Sequence, residues 1–256
     1  MKRVRPADMT EIYALRAETI DYFFPERDEE VEFWADLASD YGDDILHLMC
    51  GTGELTVGLA RKGYNVTGID VTQSMIYEAK DRLDGEDLDN VEFIQEDARY
   101  FKLDKKFDFV FISTGDFHHF TEREEVDSLL AKAYAHLRPG GAVALELYPL
   151  PNEGFKRPEK KFRTYRDTPE DWTVWKRNKS SYHPENQMLE IMEHLHVDKG
   201  DEVTKGDYEI QLRLFSEDEM DEILKENGFS NIKHFGGYDF SPYVEDSDTW
   251  IAVGER

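Results

Sequence analysis

The chain is short of several things, and each shortage narrows what it can be. It has one cysteine in 256 residues, Cys50, so no internal disulfide framework is available and a reducing cytoplasm is the expected setting. No stretch approaches the ~18 consecutive apolar residues of a membrane span, so no membrane partner is expected. The opening MKRVRPADMTEIY is basic but no apolar core follows it, which argues against a secretory leader. Positive charge is scarce: 31 Lys and Arg stand against 56 Asp and Glu, a formal net charge of −25. Phosphate backbones demand a basic footprint, so nucleic acid is not the expected partner. There is no internal repeat and no low-complexity tract.

The acid is unevenly spread. Residues 151–213 hold twelve basic and thirteen acidic residues, so nearly all of the excess lies outside that segment. A solvated, solubilising surface and adaptation to a salty cytoplasm both fit this distribution.

What is present is alternation. Residues 7–24 carry Met9, Ile12, Tyr13, Ile20 and Phe24 roughly at helical spacing, ended by Pro25, and a second helix is expected from Asp28 to Tyr41. Short apolar strands follow at Ile45–Met49, Tyr64–Asp70, Val91–Gln95, Phe107–Ser113 and Ala142–Tyr148. Helices are expected between them at Glu54–Arg61, at Gln73–Leu83 behind a Thr72 cap, and up to Leu137 behind a Thr121/Glu124 capping box, with RPGG as a stop. Strands alternating with helices predict a parallel, doubly wound sheet, whose ligands bind beyond the carboxyl ends of the strands. Residues 151–213 break the rhythm. TVWKRNKSSYH, QMLEIMEHLHV and YEIQLRLF read as antiparallel strands joined by PEN and DKGDEVTKGD. Ser216 and Glu219 then cap one more helix, and NIKHFGGYDF and TWIAVGE close the chain as an antiparallel strand pair.

The stretch ILHLMCGTGELT, Ile45 to Thr56, is a strand, a glycine turn and a helix start. A helix N-terminus favours an anion, and Asp70 at the end of the next strand is placed to accept from ribose hydroxyls. Both suit a nucleoside-containing cofactor. Nicotinamide dinucleotides want G-x-G-x-x-G, and here the third glycine is missing, since Thr56 stands there.

Taken in order, ILHLMCGTGELT, VTGIDVTQSMI, FIQEDARYF, FDFVFIS and LRPGG resemble the class I S-adenosylmethionine-dependent methyltransferases of small-molecule type, over roughly residues 20–150. FSEDEMDEILKENGFSNIKHFGGYDFSPY extends the resemblance. It implies a Rossmann-like seven-stranded sheet with the last strand antiparallel, plus an antiparallel β insertion. The implied organisation is an N-terminal helical lid at 1–43, a cofactor-binding domain at 44–150 and 214–256, and the insertion at 151–213 over the active site.

It also implies roles. Gly51 and Gly53 would pass the methionine part of the cofactor, with His47 and Met49 beside them. Asp70 would hold the ribose, Val71 and Met75 would flank the adenine, Asp97 would accept from its amino group, and Ala98 would touch the ring. Ser113 and Thr114 would lie under the sulfonium, and Tyr13 and Tyr22 would belong to the lid. Two positions depart from the family pattern, which usually has an acid at 47 and a glycine at 49. The acid commonly helps hold the cofactor's ammonium, so its absence bears on affinity rather than on fold.

Methyl transfer is an in-line displacement that needs alignment, a dry site and, for a protonated acceptor, a base. Asp116, His118 and His119 are the candidates for that last role. Tyr148, Arg163, Arg166, Arg213, Tyr238 and Asp239 are the acceptor-facing candidates, with Trp172 and Trp175 nearby in sequence. Lys156–Arg166 gathers six basic residues and one acid, either a solvated loop or a receptor for an acidic group. His194 and His196 have metal-ligand spacing but no evident third ligand, so no metal is expected. The expectation is a methyltransferase for a small molecule, an amine among the acceptors considered, working as monomer or homodimer. The alternatives are a protein or RNA methyltransferase, and a non-catalytic cofactor-binding regulator.

Overall fold

The computed structural model describes residues 14–23, 27–151, 160–164 (backbone only) and 172–256. Tyr13, Phe24, Lys156 and Arg166 lie outside the described residues, as does the side chain of Arg163. The chain divides into two compact units, one of residues 27–150 with 214–256 and a smaller one of residues 1–26 with 151–213.

The larger unit holds a seven-stranded sheet. Its strands are β1 (Asp44–Leu48), β2 (Asn65–Asp70), β3 (Val91–Gln95), β4 (Phe107–Ile112), β5 (Leu137–Leu147), β10 (Ser230–Phe235) and β11 (Trp250–Glu255), in the order β10-β11-β5-β4-β1-β2-β3. β1 to β5 are parallel neighbours, and β11 runs antiparallel to both β5 and β10. The chain order reverses between β1 and β4, which opens a crevice at the carboxyl ends of those two strands.

The apolar runs make this sheet because both of its faces are covered. Phe109 and Phe111 of β4 point to one face, where they meet Phe33, Trp34, Leu37 and Ala38 of α1 (Asp28–Ser39) and Leu55 and Leu59 of α2 (Glu54–Arg61). Val110 and Ile112 point to the other, against Leu129, Leu130 and Ala133 of α4 (Arg123–His136) and Ile223 and Leu224 of α5 (Glu217–Glu226). This is the period-two alternation of a strand, with both sides apolar. Ile76 and Ala79 of α3 (Gln73–Asp81) pack on Phe93. Truncating one of these fully buried side chains to alanine would cost about 2–5 kcal/mol.

The smaller unit has a four-stranded antiparallel sheet of β6 (Lys160–Thr164), β7 (Thr173–His183), β8 (Met188–Asp198) and β9 (Val203–Arg213). Residues 14–19 are helical and Ile20–Phe23 form a 3₁₀ turn. Leu15, Val174, Leu195, Val197 and Tyr208 cluster on one face of this sheet.

The structure departs from the sequence expectation in four places. The capping box of α4 is Glu122 with Glu125, one residue later than Thr121/Glu124. RPGG does not stop the preceding helix ahead of the strand but lies inside β5, where Gly140 donates to the Arg256 carbonyl and Arg256 donates back to Gly141. β9 starts at Val203 rather than Tyr208, because a tight turn closed by Lys199 N–H to the Glu202 carbonyl lets pairing begin at once. Finally, the basic run does not form only a loop, since Lys160–Thr164 pairs with β7. Among the described residues no helix is long and apolar enough to cross a membrane.

Candidate active site

The turn after β1 bends three times through left-handed backbone: Met49 has φ 58°, Gly51 φ 55° and Gly53 φ 78°. The two glycines serve different ends. A Cβ on Gly53 would come within 2.5 Å of the Phe93 ring, so packing forbids a side chain there. A Cβ on Gly51 would meet nothing within 4 Å, so the backbone at that point borders open space. Met49 holds a conformation that costs a non-glycine residue about 1–2 kcal/mol, which explains why glycine suits this position in the resembling family. Its side chain packs half-buried against the core.

Asp70 fastens this turn from β2. Its Oδ2 accepts from Gly51 N–H at 3.0 Å and its Oδ1 from Thr72 N–H at 2.8 Å. It is only half-buried, and a carboxylate has further lone pairs to offer a diol. Cys50 lies inside the turn, buried, with its thiol pushed well up by burial and then by the charge of Asp70. It is poorly suited to nucleophilic chemistry.

His47 is buried in β1 between two hydroxyls. Its Nδ1 is 2.8 Å from Thr56 Oγ1 and its Nε2 is 3.1 Å from Ser113 Oγ. The ring stacks on Phe111 at 4.1 Å. Burial, followed by the nearby charge of Arg27, lowers its pKa to about 3, so it is neutral at physiological pH. The position therefore carries a neutral bridge between α2 and the end of β4.

The negative charge appears elsewhere. Glu146, 6% exposed near the end of β5, accepts from Thr114 N–H and from the Tyr238 hydroxyl, each at 2.7 Å. Burial raises its pKa against those bonds. Arg27, at the start of α1, donates from Nε to Glu30 at 3.0 Å and pairs with the same carboxylate through Nη2. Burial alone would lower its pKa, but Glu30 and the charges of Glu146 and Glu54 outweigh that. Arg27 and Glu146 were missed by sequence reasoning. Their signals were an acid inside the apolar run AVALELY and an arginine directly before a helix.

The turn after β4 is also left-handed, at Thr114 (φ 58°) and Gly115 (φ 73°). Thr114 Oγ1 donates to Asp116 Oδ2 at 2.9 Å, and the Tyr148 hydroxyl donates to the Thr114 carbonyl at 2.8 Å. The Tyr148 ring lies where a Gly115 Cβ would be, 2.5 Å away. Tyr148 is thus a wall of this turn.

The two adjacent histidines diverge. His118 is fully buried, stacked between Tyr148 (5.3 Å) and Phe215 (5.7 Å), and its Nε2 accepts from the Tyr148 amide at 2.8 Å. That geometry makes it a prop for the end of β5. His119 is exposed, with Nε2 3.8 Å from Asp116 Oδ1. Of the acid–base candidates, Asp116 and His119 are the pair with access to solvent.

At the end of β2, Val71 is 60% exposed while Met75 is buried behind it, and Ala98 is buried after β3. An apolar side chain left in water beside Asp70 is a surface a flat ring would cover. Asp97 is engaged by Arg99, through the amide and Nε on Oδ1 (both 2.9 Å) and Nη2 on Oδ2 (2.6 Å). These bonds hold it below the usual carboxylate range. Arg99 also pairs with Glu125.

The acceptor-facing candidates separate. Tyr238 turns inward to Glu146, its phenol pushed far up by burial and by that carboxylate. Asp239 is exposed and accepts from Ser241 N–H at 3.0 Å, closing a local turn. Arg213 donates to Gln187 at 3.2 Å, and Tyr22 meets Trp172 edge-on at 6.4 Å, all within the smaller unit. His194 and His196 flank Trp175 at 5.2 and 4.9 Å, and His194 bonds Asp207. Among the described residues no group of three His, Cys, Asp or Glu could hold a metal ion.

Residues 45–141 match the family described as a methyltransferase domain. The YqeM protein of Bacillus subtilis (strain 168) is 28% identical over 199 residues, 77% of each chain. The cypemycin N-terminal methyltransferase of a Streptomyces species is 36% identical over 106 residues, 41% of this chain and 42% of that one. The solved sugar N-methyltransferase KedS8 from a Streptoalloteichus species superposes with a TM-score of 0.77 at 19% identity, covering 100% of this chain and 97% of that one. The matched domain, these relatives and the shared fold support a class I S-adenosylmethionine-dependent methyltransferase. It is an enzyme whose cofactor is S-adenosylmethionine.

Proposed function

We propose that the chain methylates an amine on a small molecule. The observation that carries this is the pairing of Asp116 with His119 just past the left-handed Thr114–Gly115 turn, at the carboxyl end of β4. An amine is protonated at neutral pH and must lose a proton before or during transfer, so a solvent-accessible imidazole beside a carboxylate suits it. KedS8 is a sugar N-methyltransferase by name and the cypemycin enzyme an N-terminal methyltransferase by name, which supports the same reading.

Bound S-adenosylmethionine would supply an electrophilic methyl group on a sulfonium. Gly51 and Gly53 would admit its amino-acid end, Asp70 would accept from the ribose hydroxyls, and Val71, Met75 and Ala98 would cover the adenine. Asp97 would accept from the adenine amino group with a lone pair that Arg99 leaves free. Ser113 and Thr114, fixed by His47 and Glu146, would form a rigid wall under the reacting centre. Residues 151–213 would select the acceptor. Arg163 and Arg166 remain the candidates for an acidic group on it.

The test is methyl transfer from labelled S-adenosylmethionine to a panel of primary and secondary amines, compared with phenols and carboxylates. His119→Gln should lower kcat/KM for amines by about 10²–10⁴-fold while the cofactor Kd is unchanged. Turnover on phenols alone, or full activity in His119→Gln, would overturn the proposal.

A further inference from the structure

The stretch after β3 has a fixed backbone. Glu96 N–H donates to the Asp70 carbonyl at 3.0 Å, which ties it to the end of β2. The Asp97 carbonyl accepts from the amides of Tyr100 and Phe101, both at 2.9 Å, and Phe101 is buried in the core. These bonds set where Asp97 stands. They leave the direction of its carboxylate open, since a half-buried side chain on a turn keeps torsional freedom of its own.

The Arg99 side chain sets that direction. Asp97 Oδ1 takes the Arg99 amide and Nε, each at 2.9 Å, and Oδ2 takes Nη2 at 2.6 Å. The remaining guanidinium nitrogen, Nη1, pairs with Glu125 in the first turn of α4. Glu125 is itself held, because its Oε2 accepts from Glu122 N–H at 3.4 Å. The guanidinium carbon lies 5.2 Å from the centre of the Tyr100 ring and 6.0 Å from that of Phe120. A planar fork between two carboxylates and two rings is held in one geometry, unlike a single exposed ion pair.

A carboxylate offers about four acceptor sites. On Asp97 two are taken on Oδ1 and one on Oδ2. The site left over is on Oδ2, and an ionised oxygen there accepts and cannot donate. The Arg99 bonds keep the group ionised by holding it below the usual carboxylate range.

We infer that Arg99 is the positioning residue of the purine site: it aims the remaining acceptor of Asp97 so that a 6-amino purine is bound and a 6-oxo purine refused. The inference rests on the reading that Asp97 meets the adenine amino group. An amino group brings an N–H to that oxygen. A 6-oxo group brings a second acceptor, and the lone pairs repel. Removing the guanidinium has two opposed effects. A carboxylate without its cation is a stronger acceptor, but it also turns freely and is taken by water. A directional bond gains most from preorganisation, so the loss of aim decides the sign.

The test is calorimetric binding of S-adenosylhomocysteine and of S-inosylhomocysteine, its 6-oxo analogue, to the full chain and to Arg99→Met, Arg99→Lys and Asp97→Ala. The wild type should prefer the 6-amino ligand by about 10- to 100-fold, the range for one hydrogen bond to a charged group. Arg99→Met should lower this ratio by about fivefold or more, through weaker binding of S-adenosylhomocysteine with S-inosylhomocysteine unchanged. Arg99→Lys keeps a cation beside Asp97 and Glu125, and so the tie to α4, but gives up the fork. Its ratio should fall between the other two. A merely structural arginine would weaken both ligands alike and leave the ratio where it was. That result, or tighter binding of S-adenosylhomocysteine by Arg99→Met, overturns the inference, as does a wild type that does not discriminate. A ratio lost in Asp97→Ala but kept in Arg99→Met and Arg99→Lys sinks the role of Arg99 and leaves Asp97 at the adenine. A ratio kept in all three variants removes Asp97 from the adenine, and the role of Arg99 falls with it.

Discussion

The Tyr238 hydroxyl donates to Glu146 at 2.7 Å, and the other oxygen of that carboxylate takes the backbone N–H of Thr114. A residue from the last loop thereby steadies the left-handed turn after β4. Removing the phenol leaves a buried carboxylate one donor short. Tyr238→Phe should destabilise the fold by about 1.5–3 kcal/mol, the range for hydrogen bonds to charged groups. Urea unfolding measures this. An unchanged midpoint would mean that Glu146 is protonated and needs no second donor.

His47 makes stability depend on acidity. Its pKa in the folded chain is lowered to about 3, below its unfolded value near 6.5. The unfolded chain therefore binds a proton that the folded chain refuses. Stability from this group is full above pH 6.5 and is lost as pH falls towards 3, by about 1.4 kcal/mol per pH unit. Between pH 7 and pH 5 the wild type should lose about 2 kcal/mol more than His47→Asn. Equal losses in the two proteins would show that position 47 does not titrate differently on unfolding.

Much of the fold was legible because its signals are local. Val91–Gln95 has the bounds its residues suggest, and FDFVFIS is almost continuously apolar because helices cover both sides of β4. The Gly51–Asp70 relationship was legible for a similar reason, since both lie at the ends of neighbouring strands. What sequence could not disclose depends on distant partners or on direction. Glu146 acquires its surroundings from Arg27 and Tyr238, 119 and 92 positions away. His118 and His119 look alike in a string, yet a single 3₁₀ turn sends one into the core and the other to solvent. Position 47 read as a lost acid, and only the Thr56 and Ser113 hydroxyls show what the histidine does instead.

Asp70 has two tasks, and a substitution can separate them. It accepts from Gly51 and Thr72 in the protein, and it is placed to accept from the cofactor's ribose. Asp70→Asn keeps the size and one acceptor oxygen but loses the charge. Calorimetric affinity for S-adenosylhomocysteine should fall by about 1.5–3 kcal/mol, and NAD should bind neither protein. An asparagine variant with wild-type cofactor affinity would remove Asp70 from the ribose site.

The acidity should make the protein more stable in salt. A formal charge of −25 repels itself, and several of its acids have no base to meet, since only 31 basic residues face 56 acidic ones. The repulsion acts in the folded state more than in the expanded one, because folding brings the charges closer together. Screening shortens its reach from about 10 Å at 0.1 M salt to about 3 Å at 1 M. The same screening weakens exposed ion pairs such as Arg61–Glu86 and Arg123–Glu226. Exposed pairs of this kind contribute little to stability, so the net repulsion decides the sign. The melting temperature should therefore rise between 0.1 M and 1 M potassium chloride. Potassium chloride is the informative salt, because it screens without the strong surface exclusion of sulfate, which stabilises folded proteins generally. A flat or falling melting temperature would mean that the charges are spaced widely enough, or paired well enough, that self-repulsion does not limit the fold.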